Sequence, residues 1–300
     1  MRPALRPAII AVTGATGFLG SHIAEALMAR DYAIRGVVRS PEKGAWLAER
    51  GVVMARADLS DRAALARAFE GSEAVVANAA MGSFQGDLDA MLAVNHQGAE
   101  NVANAAADAG VTRLVLISTV AVYRTRVRHR MGEDAERYGD KRRLFNVSDA
   151  TTDWRYALSK SRGEAATEAI AKDRGLELTI LRPGPIYGPR DPKFSARLNR
   201  AMARSVAPAP TVGVPLVHAR DVADAAAGAL ANAESVGRAY NLAGPPVSFR
   251  ELMQTLKVLR GGGPVLVPVP LPFWVAYDTS AAERDLGFSS RPLEEGLREL

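Results

Sequence analysis

The 300 residues contain no cysteine. That one absence excludes disulfides, iron–sulfur clusters, thiolate-bound zinc and cysteine nucleophiles, and gives no reason to expect an oxidising compartment, so the chain is expected to be cytoplasmic. Long apolar runs are missing too. The most apolar late stretch, Pro264 to Tyr277, is interrupted by four prolines and is too short for a bilayer crossing of about 20 residues. It is expected to be buried or to line a pocket. Met1 to Pro7 carries two arginines and two prolines and does not read as a signal peptide. Charge of one sign does not dominate: 38 basic against 33 acidic residues leave +5. This suits anionic ligands but falls short of a nucleic-acid signature. The expected partner is a small-molecule substrate, with neither nucleic acid nor membrane. No internal repeat, low-complexity tract or His/carboxylate cluster stands out, so no metal is expected.

What is present is the balance of an ordinary folded chain, 48% hydrophobic and 24% charged. The length accommodates one large domain or two unequal lobes. From Ala8 to Leu181, β-branched runs alternate with helical stretches, the pattern of a parallel sheet covered by helices on both faces. Strands are predicted at Ala8–Thr13, Ala33–Val38, Val52–Ala57, Ala74–Asn78, Arg113–Ser118 and Leu176–Leu181. Leu88, Met91, Leu92, Ala99, Val102, Ala103 and Ala106 recur at helical spacing and predict one long amphipathic helix from Gln85 to Ala107. After Leu181 prolines break the rhythm, until a helix from Asp221 to Asn232, capped by its Asp, and a strand Ala239–Leu242 return to the sheet. The expected division is residues 1–182 with 219–243 as an α/β domain, and 183–218 with 244–300 as a smaller, irregular lobe. Arg124 to Ala150 is polar, basic and aperiodic. It reads either as a solvated loop or as a lid over an anionic substrate.

The first strand runs into Thr13-Gly14-Ala15-Thr16-Gly17-Phe18-Leu19-Gly20 and then a helical run. In a strand-to-helix turn, the first glycine permits the tight bend, the second lets backbone approach a pyrophosphate, and the third lets the helix pack closely. The helix N-terminus offers unpaired N–H groups to the anion. Gly14, Thr16, Gly17, Phe18 and Leu19 are therefore candidate dinucleotide contacts. At the end of the second strand, where an NAD site places an acid, stands Arg39, with Lys43 close behind. A guanidinium pairs with a 2′-phosphate, which favours NADP while leaving NAD possible. The competing reading is an exposed loop charge. Asp58, beside Leu59, either accepts from the adenine amino group or caps the helix beginning near Asp61.

Tyr156 and Lys160 stand four apart on a predicted helix and share one face. A cation beside a phenol stabilises its phenolate and brings the group toward acid–base work. Another strand delivers Ser118-Thr119 to its carboxyl end, where open α/β sheets bind ligands. Together with Asn78-Ala79-Ala80, Asn95-x-x-Gly98, Val122-Tyr123, Arg182-Pro183-Gly184, Tyr187-Gly188-Pro189 and His218-x-x-Asp221-Val222-Ala223, these motifs resemble the extended short-chain dehydrogenase/reductase superfamily, the NAD-dependent epimerase/dehydratase-like proteins, over nearly the whole chain. The resemblance implies a Rossmann doubly wound sheet. It implies Thr119, Tyr156 and Lys160 as catalytic residues, with Thr119 holding the substrate oxygen, Tyr156 moving its proton, and Lys160 tuning Tyr156 and holding the nicotinamide ribose. It further implies cofactor contacts from Asn78, Ala79, Ala80 and Pro183, structural roles for Asn95 and Asp221, and a homodimer through the Gln85–Ala107 and Tyr156 helices. His218 reads as a satisfied core histidine.

The chain departs from the pattern in its 37-residue step from Thr119 to Tyr156 and in an abbreviated stretch between Pro264 and Leu286. Sugar-nucleotide members commonly place an arginine before the His-x-x-Asp element to grip a diphosphate; Gly213 to Val217 holds none. This, with Val38-Arg39-Ser40-Pro41, points to a carbonyl/alcohol oxidoreductase using NADP. The alternatives are a sugar-nucleotide epimerase or dehydratase that retains its cofactor, and a non-catalytic dinucleotide-binding protein. Arg190, Arg197, Arg200 and Arg204 read as a solvated helix face.

Overall fold

The computed structural model describes residues 8–83, 85–124, 128–139, 153–192, 194–271 and 273–300. Seven strands form one parallel sheet: β1 (Ile9–Thr13), β2 (Ala33–Val38), β3 (Val53–Arg56), β4 (Ala74–Ala77), β5 (Arg113–Ile117), β6 (Glu177–Pro183) and β7 (Ala239–Leu242). Their spatial order is β3-β2-β1-β4-β5-β6-β7. The predicted strands are all present, with ends shifted by at most two residues. The chain reverses direction across the sheet between β1 and β4, which pair in the register Ile10↔Ala74. The carboxyl ends of these two strands therefore open a crevice at the switch point, where such sheets bind ligands.

Both sheet faces are apolar because both are covered. Helices α1 (Phe18–Met28) and α5 (Ala219–Ala231) pack on one face, over Ile10, Val12, Val76 and Val115. Helices α2 (Arg62–Phe69), α3 (Gly98–Asp108) and α4 (Trp154–Arg174) cover the other, over Ala11, Val75, Leu114 and Leu116. Alternate residues of one strand serve opposite layers. A separate apolar cluster gathers Tyr187, Leu198, Ala207, Leu216, Leu252, Met253, Leu256 and Leu297 from the later part of the chain.

Four expectations need correction. The long helix is present from Leu88 to Asp108, starting three residues later than expected, but it is not regular: a π turn over Ala93–Gln97 joins Leu88–Leu92 to α3. The wide turn holds Asn95 with its carbonyl facing Gly163 and its side chain tied to two other segments. Helix α5 is capped by His218, whose ring accepts from the Arg220 N–H at 3.3 Å, while Asp221 lies inside the first turn. Among the described residues, the apolar stretch after Pro264 is buried only at its end, at Ala276 and Tyr277, which also line a cavity. Its strand Val265–Val269 pairs with Val206–Pro210, and period-two alternation turns only one side inward. Val265 and Val267 project outward, and Phe273 and Trp274 are 39% and 40% exposed. Last, the basic segment is not wholly a loop. Arg130–Met131 pairs with Ala276–Tyr277, and Tyr123 bridges to Arg137. Positions 125–127 and 140–150 of that segment lie outside the described residues.

Candidate active site

A cavity of about 760 Å³ fills the crevice between β1 and β4. Every residue predicted from the glycine turn and the next strand ends lines it: Gly14, Thr16, Gly17, Phe18, Leu19, Arg39, Lys43, Asp58, Leu59, Asn78, Ala79 and Ala80. Gly14 has φ +67°, in the left-handed region, and an added Cβ there would press on Ala79 at 3.2 Å. A Cβ on Gly20 would collide with the Gly14 carbonyl oxygen. Thr13 closes the far wall, its hydroxyl accepting from the Asn78 and Ala79 N–H groups at 3.0 Å each.

Gly17 occupies the N-cap of α1 with no side chain bonded to the first turn. The helix therefore presents unsatisfied N–H groups and the positive end of its dipole to the cavity, a built anion cradle. These features fit a dinucleotide: a bend with no room for a Cβ and an uncapped helix start aimed into the crevice. At the mouth, Arg39 is exposed and stands 4.0 Å from Asp58. Asp58 does not cap α2. Asp61 does, accepting from the Ala64 N–H at 2.9 Å, and Asp58 instead accepts from Ser60 N–H and Oγ. Those hydrogen bonds hold the Asp58 carboxyl below its usual range.

Thr119, Tyr156, Lys160 and Pro183 are brought together elsewhere, at the carboxyl ends of β5 and β6 and on α4. Asp153 caps α4 and Gly175 ends it in a left-handed conformation. Thr119 follows β5 in extended backbone; its hydroxyl accepts from the Ala121 N–H at 3.2 Å and acts on the Tyr156 phenol. Lys160 is 7% exposed, and its Nζ donates to the Ile117 carbonyl at 2.9 Å, two residues before Thr119. Burial pushes the Tyr156 phenol up, and the Thr119 hydrogen bond opposes it. Burial pushes the Lys160 ammonium down to about 8, with the Glu164 charge acting the other way. Phenol, hydroxyl and ammonium thus form one cluster able to exchange a proton with a bound oxygen.

Asn95 ties this cluster to the cavity. Its Oδ1 accepts from the Met81 N–H at 2.8 Å, and its Nδ2 donates to the Met81 carbonyl at 3.0 Å and to Ser159 Oγ at 3.0 Å. Met81 lines the cavity, and Ser159 lies between Tyr156 and Lys160. Asp221 accepts from Arg291 N–H and Nε, at 3.0 and 2.7 Å. His218 is buried, but among the described residues its Nε2 has no hydrogen-bond partner, standing 3.6 Å from Glu299, so it is only half satisfied. Arg197, Arg200 and Arg204 are exposed as expected. Arg190 is not part of that face: it donates to Glu25 Oε2 at 2.6 Å and approaches His22 Nδ1 at 3.0 Å.

Sequence reasoning missed Met81, Gln85, Asp191 and Pro192 in the cavity wall, which come from irregular chain without periodicity. It also missed Glu164, one turn beyond Lys160 and salt-bridged to Arg182 at 2.6 Å. Extending the Tyr156/Lys160 spacing by another four residues would have found it.

A family model, the NAD dependent epimerase/dehydratase family, matches residues 10–243. Cinnamoyl-CoA reductase 1 of Oryza sativa subsp. japonica is 31% identical over 97% of this chain and 88% of its own length. UDP-glucose 4-epimerase of Vibrio cholerae is 25% identical over 88% of this chain and 80% of its own. The crystal structure of UDP-glucuronic acid 4-epimerase from Bacillus cereus in complex with NAD superposes with a TM-score of 0.80, covering 97% of this chain and 96% of that one at 21% identity, which shows a shared fold. The sheet order, the glycine turn and a family match over most of the chain agree: the protein belongs to the NAD dependent epimerase/dehydratase family, the NAD(P)-dependent enzymes of the extended short-chain dehydrogenase/reductase superfamily.

Proposed function

We propose that this enzyme reduces the carbonyl of a small-molecule substrate, or oxidises the corresponding alcohol, with NADP as the preferred cofactor. The observation that carries the reading is the buried Lys160 ammonium, which donates at 2.9 Å to the Ile117 carbonyl on the strand end that carries Thr119 and lies one helical turn from Tyr156. In this reading the α1 N-terminus and the glycine turn hold the pyrophosphate. Arg39 and Lys43 hold the 2′-phosphate, and Asn78, Ala79, Ala80 and Pro183 shape the ribose and nicotinamide end. When bound, the nicotinamide exchanges a hydride with the substrate carbon. Thr119 orients the substrate oxygen, Tyr156 gives it a proton, and Lys160 stabilises the phenolate left behind.

The 31% identity to a reductase over almost the full chain supports net redox chemistry. So does the missing arginine between Gly213 and Val217, since a diphosphate substrate would lose a bidentate clamp. The epimerase relative supports a second reading, a cofactor retained through the cycle. Calorimetric titration with NADPH and NADH, followed by NADPH oxidation with a panel of aldehydes, ketones and acyl thioesters, tests the first. Tight NAD binding without NADPH binding would overturn the NADP preference. A nucleotide that survives gel filtration with no net turnover would favour the second. The division into a sheet domain (1–182, 219–243) and a substrate lobe, and a homodimer through α3 and α4, belong to the same proposal. Light scattering that finds a monomer removes the dimer.

A further inference from the structure

Glu164 is 1% exposed and sits inside α4, one turn past Lys160. A carboxylate is not left there without donors, and it has four. Ser118 Oγ donates to its Oε2 at 2.5 Å and Arg182 Nε to the same atom at 3.2 Å. Arg182 Nη2 at 2.6 Å and Arg137 Nη1 at 2.7 Å donate to Oε1. Arg182 is itself pinned: its Nη1 donates to Tyr123 Oη at 2.7 Å and to the Glu133 carbonyl at 2.9 Å, and its guanidinium lies over the Tyr123 ring. Tyr123 Oη in turn donates to Asn241 Oδ1 at 2.7 Å, and Arg137 is shared with Glu168.

A tie that served only the fold would need the Arg182 pair and nothing more. Two placements aim it at the active site. Ser118, which Glu164 holds, lies between Ile117, whose carbonyl accepts from Lys160 Nζ, and Thr119, which acts on Tyr156. Glu164 also occupies the next turn along the face that carries Tyr156 and Lys160, the i, i+4, i+8 positions. We infer that Glu164, clamped by Arg182, is a positioning residue that keeps the Lys160 ammonium charged and fixes the Ile117–Thr119 strand end for proton transfer at Tyr156, an inference that rests on the proposed acid–base reading of that cluster.

The electrostatics agree. The Arg182, Ser118 and Arg137 hydrogen bonds hold Glu164 below its ordinary range despite burial. Glu164 is the charge that opposes the burial depression of Lys160. The groups acting on Lys160 are the Glu164 charge from its own helix and the Ile117 carbonyl from the end of β5. Those facing Glu164 are Ser118, Arg182 and Arg137 from three other segments. Without the carboxylate, Lys160 loses its proton at lower pH, and the Tyr156 phenolate loses its cation.

The test uses the full chain and needs no substrate. Removing one charge of a buried pair strands the other, whereas replacing both by apolar groups of similar volume is often neutral for stability. The Glu164→Met/Arg182→Met double variant is therefore compared with wild type, with Glu164→Gln beside it, and folding is checked by circular dichroism. Lys160 is titrated by the pH dependence of its acetylation, read by mass spectrometry. The expected result is a Lys160 midpoint lower by about one pH unit or more in Glu164→Gln. A folded Glu164→Gln with the Lys160 midpoint at its wild-type value overturns the inference. Undiminished NADPH-linked turnover in Tyr156→Phe would instead sink the catalytic reading and leave the titration result standing.

Discussion

Gly163→Ala is the sharpest probe of how the catalytic helix is seated. In an ordinary helix interior this change stabilises by about 0.5–1 kcal/mol, because alanine loses less backbone freedom. Here the added Cβ would land on the Asn95 carbonyl oxygen of the π turn, far inside contact distance, and at 3.0 Å from the Asn95 carbonyl carbon. The obstacle is backbone, so no rotamer change relieves it. Restoring ordinary contact requires α4 and the π turn to part by on the order of 1 Å, and overpacking of this kind costs about 1–3 kcal/mol or more. The clash exceeds the propensity gain. A net loss of about 1–2 kcal/mol lowers Tm by roughly 2–8 °C in a chain of this size. The same displacement stretches the 2.9 Å bond from Lys160 Nζ to the Ile117 carbonyl and the Asn95 bond to Ser159. Misplacement of about 1 Å costs on the order of 10²-fold in rate. Scanning calorimetry and NADPH-linked turnover are the assays, with Gly262→Ala, where an added Cβ meets open space, as the control. A Gly163→Ala protein as stable and as active as wild type would refute the packing argument.

Tyr156→Phe is expected to keep NADPH affinity and lose at least about 10²-fold in turnover, as removal of a general acid does; full activity would end the acid–base assignment. Arg39→Ala with Lys43→Ala should weaken NADPH binding more than NADH binding and flatten its salt dependence, and equal losses for both nucleotides in calorimetry would count against a 2′-phosphate site. Asp108 accepts from Arg62 and Arg174 and is pulled down to about 2. Its folded pKa lies below the unfolded value, so its contribution is present above about pH 4 and is lost as pH falls toward 2. Because the pair is partly exposed, Asp108→Asn should cost less than about 1 kcal/mol at neutral pH and remove that part of the acid dependence in urea titrations. An unchanged acid limb in the variant would show that the pairing contributes nothing.

The sheet was legible because its signals are local and repeated. Strands buried on both faces must be continuously apolar, and the glycines at 14 and 20 are demanded by a left-handed backbone and by close backbone approach. The catalytic spacing was legible for the same reason: one helical turn relates Tyr156 to Lys160 whatever surrounds them. Legibility failed where a residue's role is set by a partner far along the chain. Nothing near Asn95 announces that its side chain will span Met81 and Ser159, or that Gly163 must be bare to admit its carbonyl. Arg190 sits among surface-like arginines, yet His22 and Glu25, more than 160 positions earlier, take it out of that face. The apolar run after Pro264 failed differently. Hydrophobicity there predicts burial, but a two-stranded ribbon has only one inward side, so Val206, Val265 and Val267 face outward whatever their hydropathy. The order of the seven strands follows from local pattern plus chain topology, whereas the ties that align Tyr156, Lys160 and Thr119 join residues remote in sequence. Substitutions at Asn95, Gly163 and Glu164 should therefore disturb chemistry more than a reading of the motifs alone would suggest.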